Sequence, residues 1–407
     1  RMLLGDVGTG KTIVAAHALA ASADSGHQAA MMAPTEVLAL QYASKVGPVL
    51  ESAGISWVLL TGSTPPAEKK RVAASVEAGE TSVVFGTHAL LEKSLKFADL
   101  SLAIVDEQHR FGVGQRLGLR SKGSAADLLV MTATPIPRSL ALTFYGDLAT
   151  SYLTARPGGR TGAHVKTELV HRTGRERAYR AVKKAVSLGR QAYVVCALVD
   201  ESDAVEARSA IKEADRLRKI VFPELSVGLL TGRMRPSEKA QVMQRFRDKA
   251  IDVLVSTTVI EVGVDVPNAT VMIVEDAERF GLAQLHQLRG RIGRGEHPGT
   301  FLVFADPKSR EGRERMQAIV ATNDGFALAE ADLALRGAGQ LFGQRQSGLP
   351  ELKVASLSED AELVKTARRD AEEIIAEDPA LRDAVHRPLE SEARKRFGAA
   401  WKWVSSG

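Results

Sequence analysis

Two short stretches of this 407-residue chain hold residue types that together can handle a nucleotide phosphate. Gly5, Asp6, Val7, Gly8, Thr9, Gly10, Lys11 and Thr12 have the spacing G-x-x-x-x-G-K-[ST], placed after an apolar strand start and before a helical run from Thr12 to Ala23. Glycines there let backbone N–H groups curl around phosphate oxygens, and the helix N-terminus adds its positive end. Lys11 can then reach the β- and γ-phosphates while the Thr12 hydroxyl ligates Mg²⁺. The second stretch, Leu102 to His109 (LAIVDEQH), is an apolar strand ending in two adjacent acids. Asp106 at the strand end is suited to hold the magnesium through water, and Glu107 to polarise an attacking water. An isolated Asp-Glu pair is more often a solvated turn, but with a phosphate loop on the same chain it reads as the acid half of an ATP-hydrolysing site. ATP and Mg²⁺ are the expected cofactors, with Thr12 and Asp106 as metal ligands.

The elements that must position these residues form an α/β pattern. Ala29 to Ala33, Trp57 to Leu60, Ser82 to Phe85, Leu102 to Val105 and Leu128 to Met131 read as buried strands, several of them followed by helical runs. The stretch from Thr154 to Gly162 (TARPGGRTG) has no periodicity and reads as a linker. The alternation then restarts, with strands at Gln191 to Ala197, Val227 to Leu230, Asp252 to Val255, Val271 to Val274 and Thr300 to Phe304, and helices at Ala204 to Lys219 and Ser237 to Asp248. Beyond Phe304, Arg310 to Thr322 and Phe326 to Leu335 read as a helical hairpin, followed by a glycine-rich loop and a charged helical tail. No short-period repeat is visible. The expected domains are therefore 1–153, a linker at 154–162, 163–308, and a helical piece at 309–407.

Composition constrains the class less. A hydrophobic fraction of 44% and a charged fraction of 25% describe an ordinary folded protein. A net charge of +5 is compatible with a polyanionic partner but also with a plain basic surface. No apolar run approaches the roughly 18 residues of a membrane span, and no secretory leader pattern opens the chain, so the cytoplasm is the default expectation. Cys196, the single cysteine, lies in an apolar run and reads as a buried, inert thiol, which excludes an intrachain disulfide. The phosphate loop begins at Gly5, so the chain reads as a piece of a longer protein.

DEQH at Asp106 to His109 resembles motif II of superfamily 2 helicases, and Thr132 to Thr134 (TAT) resembles their motif III. The resemblance implies two tandem RecA-like (P-loop NTPase) parallel-sheet domains, with Gln108 and His109 linking the nucleotide to the DNA-contacting motif III. Gln287 to Gly295 (QLRGRIGRG) is similar to motif VI, which implies that Gln287 lies at the nucleotide and that Arg291 and Arg294 act across the cleft as arginine fingers. Ser256 to Pro267 (STTVIEVGVDVP) resembles motif V, so Thr257 and Thr258 are implied at the DNA and Gly263 and Asp265 toward the nucleotide. Pro34 and Thr35, Thr61 and Gly62, Thr87 and His88, and on the second sheet Thr231 and Gly232, match further DNA-contacting motifs. Small hydroxyls and backbone amides suit a grip on phosphates that ignores sequence.

Residues 324–350, from Asp324 and Phe326 through Arg336 and Gly339 to Gln346 and Pro350, resemble the translocation motif shared by the RecG family and the transcription-repair coupling factor. Arg336 and Gln346 match its functional polar positions. Gln108, and the run from Arg110 to Arg116, are closer to RecG. The resemblance implies an ATP-dependent DNA helicase that acts on forks and Holliday junctions in recombination and repair. It also implies a monomer, with a single-strand-binding protein as a further contact, and an upstream wedge domain and adenine-recognising segment that are absent here. The rival readings are a coupling-factor motor and a non-catalytic nucleotide-binding module. Arg394 to Phe397 and Trp401 to Trp403 interleave basic and aromatic residues, and read as a docking helix in preference to a base-stacking surface.

Overall fold

The computed structural model describes residues 1–106, 118–123, 125–132, 148–155, 165–197, 203–257, 266–295, 297–336 and 361–404. The first sheet is built from β1 (Met2–Gly5), β2 (Gln28–Met32), β3 (Trp57–Leu60), β4 (Val83–Gly86), β5 (Leu100–Asp106), β6 (Asp127–Thr132) and β7 (Thr150–Leu153). Between them run α1 (Lys11–Asp24), α2 (Glu36–Ser52) and α3 (Pro66–Glu77). The strand order is β3-β4-β2-β5-β6-β1-β7, and every pairing is parallel.

Helices cover both faces of this sheet. Ala29 and Met31 of β2 join the core on the side of Leu19 and Leu50, whereas Ala30 and Met32 join the one on the side of Val72 and Val76. A strand buried on both faces carries no polar alternation, so β2 reads as an unbroken apolar run. α2 tolerates Gly47 and Pro48 inside the helix, against their poor helical propensity. A Cβ on Gly47 would come within 2.5 Å of the Trp57 ring, so glycine makes room for the indole, which packs edge-on against Phe85 at 5.8 Å.

The second sheet contains β8 (Val165–Val170), β9 (Gln191–Val195), β10 (Val227–Leu230), β11 (Val253–Ser256), β12 (Ala269–Val274) and β13 (Gly299–Phe304), in the order β10-β11-β9-β12-β13-β8. Its helices are α4 (Arg175–Ser187), α5 (Asp203–Arg216), which continues into a wide turn at Leu217–Val221, α6 (Pro236–Arg247) and α7 (Leu282–Arg289). β7 and β8 carry no clear strand pattern in the sequence. Both strands close an edge of their sheet, and β8 (VKTELV) is only half-buried, so neither shows a strong apolar signature.

The two sheets place corresponding strands in corresponding order, and this exposes an internal repeat. Leu59, Leu60, Thr61, Gly62, Pro66, Glu68 and Lys69 recur as Leu229, Leu230, Thr231, Gly232, Pro236, Glu238 and Lys239. Each copy runs from an edge strand through a turn into a helix. The buried amides Gln28 and Gln191 open β2 and β9. Gln28 Nε2 donates to the carbonyls of Val76 and Thr81 (2.9 and 2.8 Å), and Gln191 Nε2 to those of Phe246 and Ile251 (2.5 and 2.7 Å).

After β13 come α8 (Arg310–Ala321) and α9 (Gly325–Arg336), the two helices expected there, then α10 (Ala361–Glu377) and α11 (Arg387–Val404). The chain divides into two compact units, one of Arg1–Pro135 with Ala149–Asp332, holding both sheets, and one that includes Leu333–Gly407. In the smaller unit Asp378 caps the turn between α10 and α11, accepting the N–H groups of Arg382 (3.0 Å) and Asp383 (2.9 Å). Most of the expected linker, the glycine-rich loop with Gln346, and the side chains of Arg336, Trp401 and Trp403 lie outside the described residues. Among the described residues no helix is long and apolar enough to cross a membrane.

Candidate nucleotide site and nucleic-acid interface

Parallel sheets bind ligands at the carboxyl ends of their strands, where helix N-termini point at the opening. β1 delivers the glycine loop there and β5 delivers Asp106, with β6 between them. Two strand spacings set these ends about 10 Å apart, close enough for a bound phosphate and its cation to bridge them. Gly8 (φ 80°) and Gly10 (φ 94°) take left-handed conformations, and Gly10 caps α1 without a side chain. Lys11 Nζ is drawn over its own loop, 2.6 Å from the Gly5 carbonyl and 2.9 Å from that of Asp6. The first N–H groups of a helix have no intrahelical partner, so the loop presents donors where an anion would lie.

These features fit a nucleotide phosphate. The Thr12 hydroxyl and the Asp106 carboxylate are hard oxygen donors, the set that magnesium takes. Asp106 is 5% exposed at the end of β5, and its Oδ2 accepts the hydroxyl hydrogen of Tyr42. Glu107, Gln108, His109, Thr134, Thr258, Gly263 and Asp265 lie outside the described residues.

The second sheet reaches the loop through α7. His286, buried at 3% exposure, places Nε2 2.6 Å from Asp6 Oδ1, which also accepts the Val7 N–H at 2.6 Å. On the other ring nitrogen, His286 Nδ1 lies 2.9 Å from Arg289 Nη2. A guanidinium can only donate, so Nδ1 accepts and Nε2 carries the hydrogen shared with Asp6. Gly290 follows with no side chain, and a Cβ there would meet Val7 at 3.1 Å. Gln287, Arg291 and Arg294 are half-buried beyond it, and Arg294 Nε donates to the Gly290 carbonyl at 2.6 Å. His286 and Arg289 were not singled out in the sequence. Their signal was weak but present, since Leu285 and Leu288 mark the buried face on which both lie.

The expected DNA-contacting positions sit at strand ends of both sheets. Thr61, Thr87 and Thr132 follow or close β3, β4 and β6, and Thr231 and Thr257 follow β10 and β11. All five side chains are buried, and the backbone N–H groups of Thr61, Thr87, Thr231 and Thr257 are bonded within the fold. Thr35 caps α2, its hydroxyl accepting from the Leu38 N–H at 3.4 Å, and His88 is exposed. The Glu36 carboxylate spans two of the segments, accepting the Ser63 N–H and hydroxyl, each at 2.9 Å. Burial pulls the Glu36 carboxyl upward, but hydrogen bonds from Ser63, Thr61 and Gly62 together outweigh it and hold the group below the usual carboxylate range.

At the end of β12, Glu275 pairs with Arg175 through two bonds of 2.6 and 3.2 Å. Burial pushes the Glu275 carboxyl up to about 7 against the pull of Arg175. The group then holds its proton in the folded chain while the unfolded chain has lost it, so stability falls as pH rises from about 4.5 to about 7. Glu275→Gln carries no such cost. Its stability relative to the parent is expected to rise across that window by about 2–3 kcal/mol. Urea unfolding at pH 5 and pH 8 measures this, and an equal difference at both pH values would refute the assignment.

Residues 2–143 match the DEAD/DEAH box helicase family, residues 177–296 the helicase conserved C-terminal domain, and residues 322–392 the C-terminal part of domain 3 of the ATP-dependent DNA helicase RecG. The ATP-dependent DNA helicase RecG of Bacillus subtilis is 47% identical over 395 residues, covering 97% of this chain and 58% of that protein. The Thermotoga maritima protein of the same name is also 47% identical, over 93% of this chain and 48% of its own length. The chain thus spans about half the length of the curated relatives it matches. A structure of RecG bound to a three-way DNA junction superposes with a TM-score of 0.72 at 42% identity, covering 90% of this chain and 47% of that one. The S. cerevisiae Dbp5 structure with RNA and ADP BeF3, 17% identical with a TM-score of 0.58, covers 82% of this chain and 88% of that one, and shares the fold. With near-half identity along almost its entire length, and with a RecG-specific match following the two sheets, the chain belongs to the RecG helicase family.

Proposed function

We propose that the chain is an ATP-driven motor that moves on branched duplex DNA, serving fork regression and junction migration in recombination and repair. The observation that carries this reading is the phosphate loop on the first sheet in direct contact with α7 of the second, through Asp6 and His286. A phosphate bound at Lys11 would change the surroundings of Asp6, and hence the seat of α7, so nucleotide occupancy and the relation of the sheets are linked. The three-way junction held by the RecG structure supports branched DNA as the substrate class. In this reading ATP and Mg²⁺ are held by Lys11, Thr12 and Asp106, Glu107 activates water, and Arg291 and Arg294 stabilise charge on the γ-phosphate. The turns at Thr61, Thr87, Thr231 and Thr257 grip the phosphate backbone, and residues 309–407 form the translocation piece.

ATP hydrolysis by the full chain, with and without forked DNA, tests the proposal. Forked DNA is expected to raise the rate several-fold, and more than an unbranched duplex of the same length. Hydrolysis indifferent to DNA would refute the motor, and nucleotide binding without hydrolysis would favour a non-catalytic module.

A further inference from the structure

The magnesium carboxylate has a partner that the motif pattern does not include. Tyr42 lies in α2, with its ring against the core that holds Ala43, Val46 and Ile104. Its hydroxyl donates to Oδ2 of Asp106. A phenol has one hydrogen to give and an ionised carboxylate can only accept, so the direction of this bond is fixed by chemistry. Magnesium demands near-ideal octahedral geometry, and a carboxylate that rotates freely meets that demand poorly. Partners that hold a ligand from behind set its orientation and are worth a substantial part of the metal affinity.

The support behind Tyr42 is α2, fastened at several points. α2 is capped at Thr35 and fastened at Glu36 to Ser63, and Gly47 seats it on Trp57. From Glu36 to Tyr42 the helix rises about 9 Å, so one element connects the Ser63 turn to the carboxylate.

We infer that Tyr42 is a positioning residue that orients Asp106 toward the magnesium of a bound nucleotide, an inference that rests on the nucleotide-site reading above. The test is binding of the fluorescent nucleotide mant-ADP to the full chain, titrated in excess Mg²⁺ and again in EDTA. Tyr42→Phe keeps the ring in the core and removes only the hydroxyl. It is expected to leave affinity in EDTA within about twofold of the parent, and to cut the gain that magnesium confers by about tenfold. Asp106→Asn is expected to lose a similar gain, and the double variant to lose little more than either single one. Equal losses in both titrations, an unchanged magnesium gain, or additive effects would each overturn the role of Tyr42 while leaving the nucleotide site standing. A parent chain that binds no mant-ADP at all would overturn both.

Discussion

Lys11→Ala is expected to lower kcat/KM for ATP by about a thousandfold while leaving the chain folded. The ammonium already occupies the centre of the loop, held by the Gly5 and Asp6 carbonyls at 2.6 and 2.9 Å. It therefore reaches an incoming phosphate without a large rearrangement, and little of its attraction is spent on ordering the side chain. Its removal takes a full positive charge from the site where negative charge grows during hydrolysis. The structural cost is small by comparison, because both carbonyls belong to a partly buried loop that water can reach, and one such bond is worth about 1 kcal/mol. Lys11→Arg retains the charge but replaces a compact ammonium with a planar fork too wide for the loop, so it is not expected to restore activity. Phosphate release measured beside thermal unfolding separates the two effects. An alanine variant that hydrolyses ATP at the parental rate would remove Lys11 from the site.

The placement of this loop is legible in the sequence because its spacing is confined to one contiguous segment. Gly5, Lys11 and Thr12 have to follow one strand and start one helix, and they do. Asp106 was legible for the same reason, as the last residue of an apolar strand. Contacts between distant segments were not. Nothing near Tyr42 announces that it meets a residue 64 positions later, and His286 meets Asp6 across 280 positions. Such pairs are set by tertiary placement, which local pattern does not encode. The internal repeat is partly legible: the Thr231–Gly232 turn compares with Thr61–Gly62 in the sequence itself, and the matching strand orders of the two sheets extend that comparison to whole strands. Edge strands β7 and β8 escaped because half-burial weakens the apolar signal on which strand reading depends.

Among the three arginines of the motif VI run, Arg289 carries the largest expected effect on stability. The resemblance to motif VI implies cleft roles for Arg291 and Arg294 and none for Arg289. Arg289 is buried at 3% exposure, and its Nη1 donates to the carbonyls of Ile319 and Thr322, both at 2.8 Å, and to the Thr167 hydroxyl at 3.3 Å. The other arm, Nη2, donates to His286 Nδ1. A buried guanidinium stays charged, so it persists only because these acceptors surround it. Arg289→Ala strands the carbonyls at the end of α8 and opens a cavity between α7 and α8. The expected loss is about 3–5 kcal/mol, a large share of the stability of an ordinary domain. Arg289→Lys recovers only part of this, since one ammonium cannot span acceptors arranged for a fork. Urea unfolding measures the loss, and hydrogen exchange at residues 316–322 locates it. Nucleotide binding by the same variant then decides how far the contact extends. Without Arg289 the imidazole loses the donor that fixes its tautomer, and its bond to Asp6 loosens. If mant-ADP affinity falls along with stability, the line from α8 through Arg289 and His286 reaches the phosphate loop. If stability alone falls, Arg289 holds the two helices together and the loop keeps its own counsel through Lys11.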